Sequence, residues 1–354
     1  MDIDSLYYDS IDLLKQMIAI PSVSKEEDDV AGLITQYIEG KGLTIHRKGN
    51  NVWTMSPEFN PEKPAVLLNS HIDTVKPVST WTVNPFQPIE QEDRITGLGS
   101  SDAGASVVSL LHAFLFLIQK EQPCNFIFLA SCEEEISGKN GVESVLPELP
   151  EISLGVIGEP TQMQPAIAEK GLMVLDCSVY GISGHAARNE GENAIYKAIP
   201  SIEWFRNYNF PKQSDLLGSV KMTVTMIQSG QQHNVIPDLC TFVVDVRTNE
   251  CYSNIEILDI VTKECGCEVK ARSTRLNSSS ISINHPIVQR ALLMGKKAFG
   301  SPTLSDQSLM NFPTLKIGPG NSALSHTANE SIHCPEIREA IELYIKLLNN
   351  LNFT

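Results

Sequence analysis

Histidines and acidic residues, whose side chains are of the types that bind divalent metal ions, stand at five separated places in the 354-residue chain. They are His71 with Asp73, Asp102, the acidic run 133–135, Glu159 and His326. Imidazole nitrogen and carboxylate oxygen are the ligands of hydrolytic metal pairs, in which two ions about 3.5–4 Å apart share a bridging carboxylate. Together these residues predict a two-metal hydrolytic centre, whereas each alone is as easily a core or surface residue.

Three of these places have a local pattern that suits metal binding. His71 and Asp73 are two residues apart in an extended segment, so Asp73 can accept a hydrogen bond from the far imidazole nitrogen. The consecutive carboxylates 133–135 raise one another's pKa values and destabilise the fold unless cations neutralise them. Asp102 lies in the glycine-rich turn 97–104, where it is also a candidate N-cap for the apolar helix that follows.

Alternating helix and strand patterns indicate an α/β domain that positions these side chains. Apolar spacing predicts helices over residues 4–18, 27–40 and 105–119, and strands at 52–55, 65–69, 125–130 and 154–157. We expect a mostly parallel sheet covered by helices on both faces. His71, the run 133–135 and Glu159 each follow a predicted strand, and such sheets bind ligands at the carboxyl ends of their strands.

A second domain is predicted over residues 170–285, inserted into a first domain that comprises residues 1–169 and 286–354. Its patterns predict a strand at 173–180, a helix at 192–207, strands at 219–228 and 240–247, a helix at 254–264 and a strand at 268–272. The order β-α-β-β-α-β is the ferredoxin-like arrangement. Further helices are predicted at 287–299 and 336–351, and we expect this tail to return to the first sheet.

Composition and charge restrict the class of protein. At roughly 150 residues per domain, the chain has room for about two domains. A net charge of −15 disfavours nucleic acid and anionic lipid as partners, and the apolar stretch 107–118 is too short to span a membrane. The first residues lack a secretory-signal pattern and the eight cysteines lack disulfide-framework spacing, so we expect a cytoplasmic protein. Cys265 and Cys267 form a lone CxC pair, a weak metal motif.

Five short motifs, in this order, resemble those of the M20 metallopeptidases. They are residues 70–75 (SHIDTV), 99–102 (GSSD), 133–135 (EEE), 158–161 (GEPT) and 325–326 (SH). With the inserted ferredoxin-like domain, the resemblance covers nearly the whole chain. Within the family, acetylornithine deacetylases and succinyl-diaminopimelate desuccinylases are the most similar. The resemblance implies an α/β catalytic domain of the zinc-exopeptidase type with an inserted α+β lid and dimerisation domain.

The resemblance also implies a role for each residue of the centre. The expected ligands are His71 and Glu159 for one Zn²⁺, Glu135 and His326 for a second Zn²⁺, and Asp102 as the bridge between them. Glu134 is the expected general base, and Asp73 supports His71 as a further catalytic residue. An oxygen-rich set with two imidazoles would also accept Co²⁺ or Mn²⁺. In relatives the peptide bond after the bridging aspartate is cis, so we expect the same at Asp102–Ala103.

Four residues of the inserted domain are expected to bind the substrate. They are Lys170, His185 in the run 181–186 (GISGHA), Asn234 and Arg247. In dimeric members of the family the lid histidine reaches the partner's site and donates to the tetrahedral oxyanion. Arg247 suits bidentate binding of a substrate carboxylate, and Lys170 is a second candidate for the same anion. We therefore expect a homodimer formed through this domain.

The expected activity is removal of an acetyl or succinyl group from a small amino acid such as ornithine or citrulline, in arginine biosynthesis. Two alternatives use the same chemistry: desuccinylation of succinyl-diaminopimelate, and hydrolysis of peptides by an aminopeptidase or dipeptidase. A metal-free scaffold is disfavoured because every expected ligand and the base are present. A dinucleotide-binding enzyme is disfavoured because Asp102 stands where the third glycine of the fingerprint would follow Gly97 and Gly99.

Overall fold

The computed structural model describes residues 2–353, which divide into two compact units. Unit 1 comprises residues 2–167, Ser280–Phe299 and the chain from Ser305, and unit 2 comprises Ala168–Ser279 and Gly300–Leu304. The inserted domain predicted at 170–285 therefore corresponds to a unit that begins two residues earlier, ends at Ser279 and takes in one short later segment.

Eight α-helices, labelled α1–α8 in chain order, lie within the described residues. They are Ile3–Ile18, Asp28–Gly40, Ala105–Leu117, Val142–Val145, Ala194–Asn207, Asn254–Glu264, Pro286–Leu293 and Cys334–Leu348. Short helical turns lie at Ser100–Gly104, Glu134–Ile136, Leu146–Glu148, Asp306–Leu309 and Ser322–Leu324. The helix predicted over 287–299 is wrong beyond Leu293, because Gly295 has a φ of 80°, which ends a helix.

Eighteen strands, β1–β18 in chain order, lie in the same part of the chain. They are His46–Lys48, Asn51–Met55, Ala65–His71, Ile89–Gln91, Arg94–Thr96, Asn125–Ser131, Leu154–Ile157, Ala166–Glu169, Gly171–Tyr180, Gly184–His185, Lys221–Ser229, Val235–Ile236, Leu239–Thr248, Glu268–Ala271, Ser279–Ser280, Phe299–Ser301, Thr314–Lys316 and Ser331–His333.

The main sheet has the strand order β1-β2-β6-β3-β7-β17-β8-β15, and β16 also pairs with β8. Its centre is parallel, since β3 runs parallel to β6 and β7, and β7 runs parallel to β17. Antiparallel pairs flank this centre, so the predicted mostly parallel sheet is confirmed as a mixed sheet. The pairing of β17 with β7 also confirms that the tail returns to the first sheet.

Both faces of this sheet are covered, which explains why every residue of β3 and β6 is buried. Val66 and Leu68 pack into the large core with α1, α2, α3 and α8, whereas Leu67 and Leu129 face a smaller cluster that includes Val142. Alternate residues of a strand point to opposite faces, so both cores draw on the same strands. Ser100–Leu117 is long and apolar enough to cross a membrane, but 94% of it is buried inside the protein.

Unit 2 has a four-stranded antiparallel sheet in the order β11-β13-β9-β14. The order along the chain, β9-α5-β11-β13-α6-β14, is the predicted one, with β10 and β12 added as a separate two-stranded ribbon. Buried residues alternate with half-buried ones along β9 and β13, because one face packs on apolar residues of α5 and α6. β11 is an edge strand, and most of its residues are exposed.

Candidate metal centre

His71 is the last residue of β3, and its side chain is almost fully buried. Its Nδ1 donates to the backbone carbonyl of Asp73 at 2.9 Å, which leaves Nε2 as the nitrogen available to a metal. Nε2 lies 3.3 Å from Asp102 Oδ1 and 3.8 Å from Glu159 Oε1. The predicted acceptor, the Asp73 carboxylate, lies 3.5 Å from the same Nδ1, so the backbone carbonyl of Asp73 is the nearer partner.

The Asp73 carboxylate instead holds the turn that carries Glu134 and Glu135. It accepts hydrogen bonds from the backbone N–H of Glu134 at 3.0 Å and of Glu135 at 3.1 Å. Ser24 Oγ donates to the same carboxylate at 2.7 Å. Asp73 thus connects the end of β3 to the acidic turn after β6, and it positions residues of that turn.

Asp102 lies in the turn Ser100–Gly104, and its φ of −115° and ψ of 94° are not helical. Its Oδ1 is 3.3 Å from His71 Nε2, and its Oδ2 is 3.7 Å from His326 Nε2. One carboxylate oxygen faces each imidazole, which is how a bridging ligand is arranged. The N-cap position of α3 belongs to Gly104, so Asp102 is not its cap. The Asp102–Ala103 peptide bond is cis, as the resemblance implied.

In the turn after β6 the side chains of the three successive glutamates face different partners. Glu133, with a left-handed φ of 55°, accepts a hydrogen bond from Asn140 Nδ2 at 3.0 Å. Glu134 Oε2 lies 4.0 Å from His71 Nε2, and Glu135 Oε2 lies 2.8 Å from His326 Nε2. Neighbouring residues of one short turn therefore face two histidines that are far apart in the sequence.

The side chains form two overlapping groups of potential metal ligands. In each group the ligand atoms lie within 4.8 Å of one another: His71 with Glu134 and Glu159, and His71 with Asp102 and Glu135. His326 joins them through its contacts with Glu135 and Asp102. The structure therefore brings together the five predicted ligands and the predicted base, while their individual roles stay predictions.

The centre has more carboxylates than its two imidazoles can balance. Burial raises the pKa of Glu134 well above its usual range, and the charge of Glu159 raises it further against the opposing charge of His71. Burial likewise raises the pKa of Glu159 to about 8, with a contribution from the charge of Asp102. Divalent cations would relieve this repulsion, so the donor set fits a pair of metal ions.

Both imidazoles of the centre lie among carboxylates that favour their protonated forms. Burial lowers the pKa of His71, but its contacts with Asp102 and Asp73 and the charge of Glu134 outweigh burial and raise the pKa well above its usual value. The hydrogen bond with Glu135 raises the pKa of His326 to about 9. Because metal ligands must be deprotonated, metal binding at these residues is coupled to proton release.

The sequence reasoning missed two buried acidic residues near the centre. Asp306 accepts hydrogen bonds from Ser131 Oγ at 2.6 Å and Asn69 Nδ2 at 3.0 Å, and burial raises its pKa to about 6. Glu330 is 2% exposed and bonds to the turn that carries Asp102. Both lie in the loop-rich segment 304–330, where no periodic pattern distinguishes a buried acid from a solvated one.

The predicted substrate-binding residues all lie in unit 2, where they form two pairs. His185 is in the ribbon of β10 and β12, and the carbonyl of Asn234 accepts a hydrogen bond at 3.0 Å from the residue after His185. Burial and the charges of Lys221 and Arg247 lower the pKa of Lys170. Asp245 accepts hydrogen bonds from Arg247 Nε at 2.9 Å and Nη2 at 3.1 Å. Their part in substrate binding stays a prediction.

A sequence profile described as "Peptidase family M20/M25/M40" matches residues 67–350, which include every residue of the centre. The chain belongs to this peptidase family. Family membership agrees with the motifs quoted above and with the donor set, which is compatible with two metal ions.

The chain is similar to proteins whose names refer to different substrates. A putative succinyl-diaminopimelate desuccinylase of Mycobacterium tuberculosis is 25% identical over 355 residues, which cover 96% of this chain and 98% of the relative. An acetylornithine deacetylase of Proteus mirabilis is 25% identical, with 96% of both chains covered. A solved Bacillus subtilis protein, YXEP, described as a dinuclear metal-binding peptidase of the M20 family, has a TM-score of 0.74 at 16% identity and 98% coverage of both chains.

Proposed function

We propose that this M20 hydrolase removes an N-acyl group from a small amino acid by means of two zinc ions. The observation that carries the proposal is the Asp102 carboxylate, one oxygen of which faces His71 while the other faces His326. Two protein-bound ions that share this carboxylate would satisfy both sides of the centre. Co²⁺ and Mn²⁺ are substitutes that the same donors accept.

The chain's own residues then perform the proton transfers. Bound metal ions would lower the pKa of a water molecule and polarise the amide carbonyl of the substrate. Glu134 accepts the proton of the attacking water and passes it to the nitrogen of the leaving amine. Asp73 holds the backbone N–H groups of Glu134 and Glu135, so the base and its neighbouring ligand are positioned together.

The substrate we propose has a free carboxylate next to the scissile amide, as acetyl- and succinyl-ornithine or the corresponding citrulline compounds have. Burial and the charges of Lys221 and Arg247 lower the pKa of Lys170, and an anion bound beside these three side chains would relieve their mutual repulsion. Relatives named as a desuccinylase and a deacetylase support this class of substrate. Such an activity would place the protein in arginine biosynthesis.

Peptide hydrolysis is the second candidate, and succinyl-diaminopimelate is a further substrate of the first class. The family profile describes peptidases, and hydrolysis of a peptide is the same reaction at an amide bond, so this alternative would use the same centre. Only the pocket around the acyl and amine groups distinguishes them.

We further propose a cytoplasmic homodimer that pairs through unit 2 and does not bind nucleic acid or membranes. The edge strand β11 exposes Met226 and Ile227, which are 54% and 56% exposed, and edge strands pair readily with a second copy. All eight cysteines are free thiols, as suits a reducing compartment.

A substrate panel tests the proposed function. Purified protein, stripped of metal and supplied with Zn²⁺ or Co²⁺, is assayed with acetyl- and succinyl-ornithine, acetyl- and succinyl-citrulline, succinyl-diaminopimelate and a set of dipeptides. We expect kcat/KM to be highest for an N-acyl amino acid. Cleavage of dipeptides alone would establish the second candidate and refute the first.

A further inference from the structure

The Glu330 carboxylate is buried against the turn that carries the bridging ligand Asp102. Glu330 Oε1 accepts hydrogen bonds from the backbone N–H of Ser101 at 2.7 Å and of Asp102 at 2.9 Å. Oε2 accepts from the N–H of Gly99 at 3.1 Å, and the backbone carbonyl of Glu330 accepts from the N–H of Gly97 at 3.0 Å. One residue therefore fixes four N–H groups along a single short turn.

The same residue belongs to the loop that carries His326. Glu330 immediately precedes β18, and β18 pairs with β5, which ends just before Gly97. On the other side of Glu330, Asn329 has a left-handed φ of 57° and accepts hydrogen bonds from the N–H and Oγ1 of Thr82. The loop is therefore fixed on both sides, four residues after His326.

The chemistry of these bonds requires a carboxylate. Oε1 and Oε2 both act as acceptors, whereas glutamine has the same shape but would direct an NH₂ group at one of the N–H donors. A negative charge beside Asp102 adds to the repulsion within a centre that already contains four carboxylates. A buried charge in this place is costly for stability, which points to a role of Glu330 in function.

We propose that Glu330 is a positioning residue for the metal centre, because it sets the orientation of Asp102 relative to His326. The inference rests on the proposed two-metal function and adds a residue to it. Hydrogen-bonding partners of metal ligands commonly contribute about 10–100-fold to metal affinity. Glu330 makes its contribution through the backbone of the ligand rather than through the ligand's side chain.

The test compares Glu330→Gln with the wild-type protein after removal of metal. Zn²⁺ binding is measured by calorimetric titration, and the visible absorption spectrum of bound Co²⁺ reports the coordination geometry. We expect Zn²⁺ affinity at least about tenfold weaker and an altered Co²⁺ spectrum in the variant. Glu330→Asp, which retains both oxygens but moves them by one methylene group, should fall between the two and serves as the second variant if Glu330→Gln does not fold.

Asn125→Ala is the matched control. Asn125 is buried at the start of β6, at the end of the strand opposite Ser131, and it also makes three hydrogen bonds to a turn. This variant should lower the melting temperature of the metal-free protein and leave Zn²⁺ affinity unchanged. Unchanged affinity in both Glu330 variants, or a loss no larger than that of Asn125→Ala at equal destabilisation, would refute the positioning role. Absence of metal binding in the wild type would instead refute the two-metal function itself.

Discussion

His326 Nε2 lies 2.8 Å from Glu135 Oε2, although 191 positions separate the two residues in the chain. Glu135 follows β6 in the middle of the sheet, whereas His326 lies in the loop before β18. The second half of the metal centre therefore forms only when the C-terminal segment is folded onto the sheet. Since one oxygen of Asp102 faces His71 and the other faces His326, we expect substitutions in the two halves of the centre to have different effects.

One substitution distinguishes the role of the proposed base from the role of the metal ligands. Glu134→Gln should retain metal but lose turnover by about 10²–10⁴-fold, because the amide cannot accept the proton of the attacking water. Glu133→Gln is the matched control: Glu133 accepts hydrogen bonds from Asn140 Nδ2 at 3.0 Å and from the Asn140 N–H at 3.4 Å, so the change removes a carboxylate of the same turn that faces Asn140 and not His71. We expect that control to keep turnover within a few-fold. Near-normal turnover in Glu134→Gln would remove its assigned role.

Metal stoichiometry distinguishes the bridging ligand from a terminal one. Asp102→Ala should lose both ions, because its two oxygens face the two imidazoles. His326→Ala should lose one ion, since His71 and Glu159 remain in place. Metal per chain is measured by elemental analysis after dialysis. Equal loss in the two variants would contradict a bridging Asp102.

The proposed oxyanion contact is tested by His185→Ala. This variant should have a lower kcat with unchanged metal content, because the side chain is expected to stabilise the transition state and not to bind metal. His233→Ala, which removes another exposed histidine of unit 2, is the control and should behave as the wild type. Loss of metal in His185→Ala would make His185 a ligand and overturn the assignment.

Stability should fall in mild acid because of a histidine far from the chemistry. His112 Nδ1 donates to the Val108 carbonyl at 2.7 Å and its Nε2 contacts Tyr37 Oη at 2.7 Å, while burial lowers its pKa to about 4. In the unfolded chain the pKa of His112 is near 6.5. Between pH 6.5 and 4 the unfolded chain therefore binds a proton at His112 that the folded protein does not bind. Above pH 6.5 His112 is neutral in both states and does not reduce the free energy of unfolding. As the pH falls from 6.5 towards 4, protonation of the unfolded chain lowers that free energy by up to about 3 kcal/mol.

Urea unfolding of the wild type and of His112→Gln at a series of pH values measures this contribution. Contributions from the metal centre are common to both proteins and cancel in the difference. We expect the free-energy difference between the two proteins to shrink as the pH falls from 7 to 4. A difference that does not vary with pH would show that His112 is not excluded from protonation in the folded state.

The proposed dimer depends on the exposed residues of β11. Ile227→Glu should convert the proposed dimer to a monomer in light scattering, because it places a charge on the apolar part of the edge strand. Leu293→Glu changes an equally apolar residue of unit 1, 87% exposed at the end of α7, and should leave the dimer intact. A wild-type protein that is active as a monomer would contradict any role for His185 in a partner's site.

Much of the centre was predictable because its residues stand at the ends of recognisable strands. β3 begins with four apolar residues and ends at His71, and the strand before Glu159 was predicted with the bounds that the structure has. The helix and strand order of unit 2 was predictable for the same reason, because its strands and helices alternate with clear periods.

The remaining parts depend on contacts that no local pattern encodes. Asp306 and Glu330 are buried acids in an irregular segment, and only tertiary packing brings them to Ser131 and Asp102. The acceptor for His71 is a backbone carbonyl, and a sequence names side chains rather than the carbonyl a turn presents. The true end of α7 depended on one glycine that the apolar period did not register.

Unit 1 is assembled from chain segments that lie before and after unit 2. A polypeptide still being synthesised therefore exposes His71, Asp102, Glu135 and Glu159 long before His326 leaves the ribosome. Such a nascent chain would present an incomplete cluster of acidic side chains, and the proposed pair of metal ions would meet its full set of ligands only after His326 has been synthesised. Premature stop codons anywhere upstream of the final ligand should yield products that scavenge metal weakly and hydrolyse nothing.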